Sequence, residues 1–401
     1  MRSLSSFIVL SLGSHLLAIT AAAQPYAYVT EKHSDAVSVI DTATNSVIDS
    51  IEVGQSPSGV TVTPDGSRVF VANSNSHSDS VSVIDTVTRD ATADIGVGKN
   101  PLGVAVAPDG AHVYVTNPGS NSVSVIDPTT NAVTATIAVG LSPADLVVTP
   151  DGAFVYVANS QTFTSPAAGN VSVIDAAQQK VVATIPAGHN PFGVAVTPNG
   201  HIVYVTNSNS LDVTGPGSVS VIDVATNTVL TTVAVGGNPL GVAVTPDSRF
   251  AYVTNFSSNS VSIIDTMTQN VTDTVHVGNG PLGVALTPDG GFAYVANRQP
   301  FNLTAPGTVS VIDTGTHAVV ATIPVGENPT SIAIASPPPP ACVGDCNGDG
   351  EVSVDEQLIG VNIALDSAPL RTCPAFDANR DGVVTIAELI IAVTDTLNTC
   401  P

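Results

Sequence analysis

Tyr114-Val-Thr-Asn-Pro-Gly-Ser-Asn-Ser-Val-Ser-Val-Ile-Asp127 is one instance of a pattern that fills most of the chain. Its second half, Val-Ser-Val-Ile-Asp, begins at Val37, Val81, Val123, Val171, Val219 and Val309, with a Val-Ser-Ile-Ile-Asp variant at Val261. Successive copies lie 44, 42, 48, 48, 42 and 48 residues apart. Its first half returns as Tyr204-Val-Thr-Asn207 and Tyr252-Val-Thr-Asn255, with relatives beginning at Tyr28, Phe70, Tyr156 and Tyr294. A third string, Pro-x-Gly-Val leading into Pro-Asp-Gly, runs from Pro101 to Gly110 and from Pro281 to Gly290.

Each repeat holds four strand-like runs. In one copy they are Gly103-Val-Ala-Val-Ala, Val113-Tyr-Val-Thr, Val123-Ser-Val-Ile and Val133-Thr-Ala-Thr-Ile-Ala. They are short, β-branched and bounded by Pro-Asp-Gly, Asn-Ser and Asp-x-x-Thr-Asn turns. Four antiparallel strands recurring every ~40–50 residues are the signature of propeller blades. Blades stack face to face, so both faces of each sheet are expected to be buried. The chain enters at a second strand, Tyr26 to Thr30, and leaves with an unpaired first strand, Thr330 to Ala335. Pairing those two closes a ring of seven blades and protects its edges.

These strings resemble the YVTN β-propeller repeats of prokaryotic surface and exported proteins. The resemblance spans about residues 25–335. It implies a fold shared with lactonase-like and quinoprotein propellers, and no single function. The alternation of strands puts the second-to-third strand loops and the Gly-x-x-Pro crossings between blades on one face. Five residues separate Asn117 from Val123, but eleven separate Asn159 from Val171, Asn207 from Val219, and Asn297 from Val309. The long loops carry Phe163, Leu211 or Phe301, stiffened by Pro166, Pro216 and Pro306, and form a candidate ligand face.

Where the innermost strand begins, five copies have Gly59, Gly103, Gly193, Gly241 and Gly283, and the other two have Asp145 and Ser331. A carboxylate at that place is able to hold a cation or a substrate hydroxyl. The ordinary expectation is that Asp145 points into water. The recurrent Asp41, Asp85, Asp127, Asp175, Asp223, Asp265 and Asp313 read as turn caps on the opposite face. The histidines outside the leader fall in different repeat registers and gather into no metal or catalytic set.

Ten Lys and Arg against 33 Asp and Glu give a net charge of −23, which excludes nucleic acid as a partner. Residues 1–23 read as a secretory signal: Arg2, an apolar run from Phe7 to Ile19, then Ala21-Ala22-Ala23 before Gln24. No later run reaches the ~18 apolar residues of a membrane-spanning helix. The expected location is therefore secreted, extracellular or cell-surface, with the periplasm as an alternative.

Residues 24–335 are read as the propeller, 336–341 as a polyproline linker, and 342–401 as a separate module with ten acids and two bases. That module contains two twelve-residue loops. The first places Asp345, Asn347, Asp349, Glu351, Ser353 and Glu356 at ligand positions; the second places Asp377, Asn379, Asp381, Val383, Thr385 and Glu388 there. Oxygen side chains at positions 1, 3 and 5, Gly350 or Gly382 at 6, and Glu at 12 satisfy the EF-hand pattern. Two calcium ions are expected. After each loop, Leu358, Ile359, Val361, Ile363 and Leu365, then Leu389, Ile390, Val393 and Leu397, read as one apolar helical face.

Loop-then-helix, twice, is similar to dockerin modules, an EF-hand-pair arrangement. The tail departs from them in carrying Glu at position 12 and in its cysteines. Cys342, Cys346, Cys373 and Cys400 read as two disulfides, with Cys342–Cys400 and Cys346–Cys373 the preferred pairing among three. The functional expectation is a non-catalytic, calcium-binding extracellular scaffold with a protein or polysaccharide partner. The alternative is an exported propeller enzyme of lactonase-like or polysaccharide-active type.

Overall fold

A computed structural model describes residues 25–336 apart from 76–77, 161–167, 209–215 and 300–304. Beyond them it describes 344–346, 352–365 and scattered positions from Cys373 to Val393. The chain divides into two compact units, Gln24–Pro338 and a C-terminal unit beginning at Pro339.

The described residues of the first unit form seven four-stranded antiparallel sheets, one per repeat. Blade 1 joins both ends of the repeat region, with strands Pro329–Ala335, Tyr26–Glu31, Ala36–Asp41 and Ser46–Glu52 from the inside outward. Tyr26 pairs with Ala335 and Val29 with Ile332, so the expected closure of the ring is present. Blades 2 to 7 then follow in chain order. Blade 4 runs from Pro143–Val148 to Lys180–Pro186, and blade 7 from Pro281–Leu286 to Ala318–Glu327.

The core consists of seven apolar clusters, each between two neighbouring blades. Tyr114, Val123, Val125 and Ile137 of blade 3, for instance, meet Leu146, Val148, Val155 and Val157 of blade 4. Each fully buried Val or Ile contributes about 1.5–3 kcal/mol. The aromatic residue of each repeat sits at the centre of such a contact, and Tyr28, Phe70, Tyr114, Tyr156, Tyr204, Tyr252 and Tyr294 are all at most 1% exposed. Several also reach the next blade: Tyr156 donates to Asn227 Oδ1 at 2.6 Å and Tyr294 to Asn45 Oδ1 at 2.6 Å.

The outer strands differ from expectation. Burial of both faces holds for the second and third strands, whereas the fourth strands expose Ile48, Leu230 and Val320. Blades fan outward from the axis, so neighbouring sheets separate at the rim and cannot cover one another there. The recurrent aspartates are turn caps, as expected. Asp127 Oδ1, for example, accepts from the backbone of Thr129 at 2.7 Å and Thr130 at 3.3 Å, which holds its carboxyl below the usual range.

In the second unit Cys346 and Cys373 form a disulfide with Cα atoms 5.0 Å apart, in agreement with the preferred pairing. Cys342 and Cys400 lie outside the described residues. A helix spans Val354–Ala364, capped by Ser353, whose hydroxyl accepts from Glu356 N. Its apolar residues do not share one face. Ile363 is buried and Ile359 packs against the same cluster of Cys373, Phe376, Val384 and Ala392, while Leu358, Val361 and Leu365 are exposed. Positions 359 and 363, one turn apart, face that cluster, and 358, 361 and 365 form a separate stripe. The second helix expected after Glu388 falls largely outside the described residues. Among those residues no helix is long and apolar enough to cross a membrane.

Candidate functional site

The propeller axis opens on one face into a cavity of about 360 Å³. Its wall is made by the start of each innermost strand, and the repeat explains the composition. The slot just before the recurrent glycine holds Leu102, Phe192, Leu240 and Leu282 in four blades and Ser58, Ala144 and Thr330 in the others. The glycines follow because backbone from the neighbouring blade passes close: a Cβ on Gly193 would lie 2.1 Å from the Leu240 carbonyl oxygen. Below the mouth a smaller void of about 170 Å³ continues along the axis between Val60, Val104, Val242, Val284 and Ile332.

Asp145 lies where the two spaces meet, on the channel wall, half-buried and facing the channel. Its Oδ1 accepts from Leu146 N at 2.9 Å, and its Oδ2 accepts from Val194 N of blade 5 at 3.3 Å. The side chain stands in space left by a neighbouring glycine, since a Cβ on Gly103 would be 2.8 Å from its Oδ1. Some exposure to the channel remains, but protein surrounds the carboxyl. Burial pushes its pKa up to about 6, against the two backbone hydrogen bonds that favour the anion.

Two cations complete the mouth. Lys32 and Arg298 both line it, and they occupy one register slot, the residue just after the second strand. In the other five blades that slot holds Ser74, Pro118, Ser160, Ser208 and Phe256. The slot is pinned against the crossing between blades: Lys32 N donates to Asn328 O at 3.1 Å and Arg298 N to Gly280 O at 3.1 Å. The same bond recurs as Ser160 N to Ser142 O and Ser208 N to Asn190 O, so second-to-third loops and crossings do share this face. Burial and then the Arg298 charge lower the Lys32 pKa, and burial lowers that of Arg298. Comparing that one slot across the repeats would have revealed the pair from sequence.

Of the other expected ligand-face residues, Phe163, Leu211 and Phe301 lie outside the described residues. A second cleft, of about 350 Å³, lies between blades 2 and 3 and is lined by turn residues such as Asp65, Asp109 and Pro128. Asp65 is already taken by Thr63 and Ser67, which keeps it a turn cap.

In the C-terminal unit Asp345, Ser353, Glu356 and Thr385 are described. Glu356 is buried, and its carboxylate folds back into the first loop: Oε1 accepts from Cys346 N at 2.9 Å and Oε2 from Ser353 N at 2.7 Å. Asn347, Asp349, Glu351, Asp377, Asn379, Asp381, Val383 and Glu388 lie outside the described residues. Among the described residues no group of three or more His, Cys, Asp or Glu is gathered.

Fold and axial site define a β-propeller with a ligand-sized cavity at one end of its axis. Residues 63–164 match the YNCE-like beta-propeller family, and residues 164–279 match the Cytochrome D1 heme domain. Among solved structures the chain is similar to Kuenenia stuttgartiensis hydrazine synthase, with TM-score 0.65 and 25% identity over 77% of this chain and 99% of that one. A functionally unknown protein from Desulfotomaculum acetoxidans DSM 771 gives TM-score 0.65 at 17% identity, covering 78% and 99%. Dihydro-heme d1 dehydrogenase NirN in complex with DHE gives 0.55 at 18%, covering 77% and 74%. The last two likenesses concern the fold alone. None of the curated proteins matches the sequence.

Proposed function

We propose that this chain is an exported, non-catalytic binding protein whose propeller takes a small ligand into the axial cavity and whose C-terminal unit binds two calcium ions. The propeller half rests on one observation. Two cations, a carboxyl and an apolar rim converge on a single space of about 360 Å³, the size and mixture expected of a ligand pocket. The calcium half rests on the two twelve-residue loops with oxygen ligands at matching positions. The inward fold of the Glu356 carboxylate supports it, since position 12 must reach back to the ion.

Calcium titration of the full chain by calorimetry is the direct test. Two ions per chain are expected, with Glu356→Gln and Glu388→Gln each removing one. Chelation is expected to shift the melting of the C-terminal unit alone, because each unit buries its own core. Absence of calcium uptake with disulfides intact would overturn the calcium half.

A haem-linked propeller is the second reading, favoured by the match of residues 164–279 to the Cytochrome D1 heme domain. The described residues lining the axial cavity include no His, Cys, Met or Tyr, the side chains that hold haem iron. They do not fit an iron-ligating pocket, and the small-ligand reading is preferred.

A further inference from the structure

Resting on the reading of the axial cavity as a ligand site, we infer that its mouth is an anion subsite. Lys32 and Arg298 together receive the single carboxylate of a small organic acid whose apolar body lies against Leu240, Leu282 and Phe192.

The placement of the cations is the first support. The whole chain has ten Lys and Arg in a protein of net charge −23, and two of them stand in equivalent slots of adjacent blades. Like charges so placed repel, and the Arg298 charge indeed disfavours the Lys32 ammonium. Neither forms an ion pair among the described residues, and residues 299–305 following Arg298 contain no acid to neutralise it. Among the described residues, Arg298 Nε is buried with no hydrogen-bond partner. A buried donor without an acceptor is costly, and a carboxylate between the two cations would satisfy it in the forked geometry that guanidinium favours. Among the described residues the cavity holds one carboxyl, Asp145, and it forms no ion pair with either cation.

The rest of the wall narrows the class. In a ring of seven, blade 4 lies opposite the junction of blades 7 and 1, so Asp145 faces the cations across the cavity. A second anionic group reaching that wall would meet the Asp145 carboxylate, a like charge in a partly enclosed space. The rim between them is apolar. The site therefore favours a monocarboxylate over a dicarboxylate.

Hexanoate, hexanamide and adipate binding to the full chain, read by calorimetry, test this. Hexanoate is expected to bind at least about tenfold more tightly than hexanamide or adipate. Its binding should weaken about tenfold in Arg298→Gln and in Lys32→Gln and weaken with added salt. Arg298→Lys should retain part of it, and thermal melting reports whether each variant is folded. Equal binding of acid and amide, abolished by Leu240→Trp but unchanged in both cation variants, overturns the anion subsite and leaves the cavity reading intact. Binding of none of the three probes by the wild-type chain overturns both.

Discussion

Asp145 shows what one substitution in a repeat is able to do. Five of the seven copies have glycine at its slot because the neighbouring backbone passes so close, and in blade 4 the side chain fills channel space instead. Its pKa is near 6 when folded and near 3.8 when exposed, so the folded chain resists its ionisation. Stability from this group is complete below about pH 4 and is lost as pH rises through 6. A shift of roughly two units, discounted for the open channel, amounts to about 1–3 kcal/mol. Asp145→Asn is expected to melt higher than wild type at pH 7 and equally at pH 3.5. An unchanged difference between those pH values would show that Asp145 titrates normally. Lys32 and Arg298 make the complementary point, since each is unremarkable alone and acquires meaning only as a pair.

At the scale of the element, small residues decide how blades meet. The glycine of each Gly-x-x-Pro crossing lies on the asparagine that ends a second strand: a Cβ on Gly98 would be 2.6 Å from Asn117 Cγ, and one on Gly188 2.5 Å from Asn207 Cγ. Those asparagines are fully buried and donate to serines of the next strand, as Asn117 does to Ser124 at 3.0 Å. Blade 1 uses Glu31 instead, which accepts from Gly326 N at 2.7 Å. At the inner strands the obstacle is rigid backbone. Gly193→Ala is expected to cost about 2 kcal/mol or more, measured by denaturant unfolding, because the Leu240 carbonyl cannot withdraw without shifting a strand. Gly96→Ala, with no atom within 4 Å of the added carbon, is the control and is expected to change little. The tail helix was harder to read. Its apolar residues are dense enough to suggest one broad face, and only packing against Phe376 and Cys373 separated the buried Ile359 and Ile363 from the exposed Leu358, Val361 and Leu365.

For the molecule as a whole, stability depends on closing the ring. The strand Pro329–Ala335 pairs with Tyr26–Glu31, and Ile332 packs with Ala27, Val29 and Ile40 against blade 7. Ile332→Ala removes an apolar side chain from this contact, and is expected to destabilise the propeller by about 2 kcal/mol or more, measured by denaturant unfolding. Ser336→Ala, at the exposed residue just after the strand, is expected to change little, and equal effects would argue against the closure. The repeat itself, its turn residues and the unpaired strands at its ends made the seven blades legible without coordinates. Short-range chemistry suffices for that: β-branched alternation, Pro-Asp-Gly turns and a fixed period are local properties of the chain. The candidate site was legible only in part. Asp145 was visible as a departure from glycine, but its environment was not. Lys32 and Arg298 lie near opposite ends of the repeat region, and they become neighbours because the last strand of the ring pairs with the first. Burial of a carboxyl on the facing blade, and with it the electrostatics of the cavity, follows from that closure. The sequence alone determined the blades; the joining of its two ends determined what stands at the mouth of the axis.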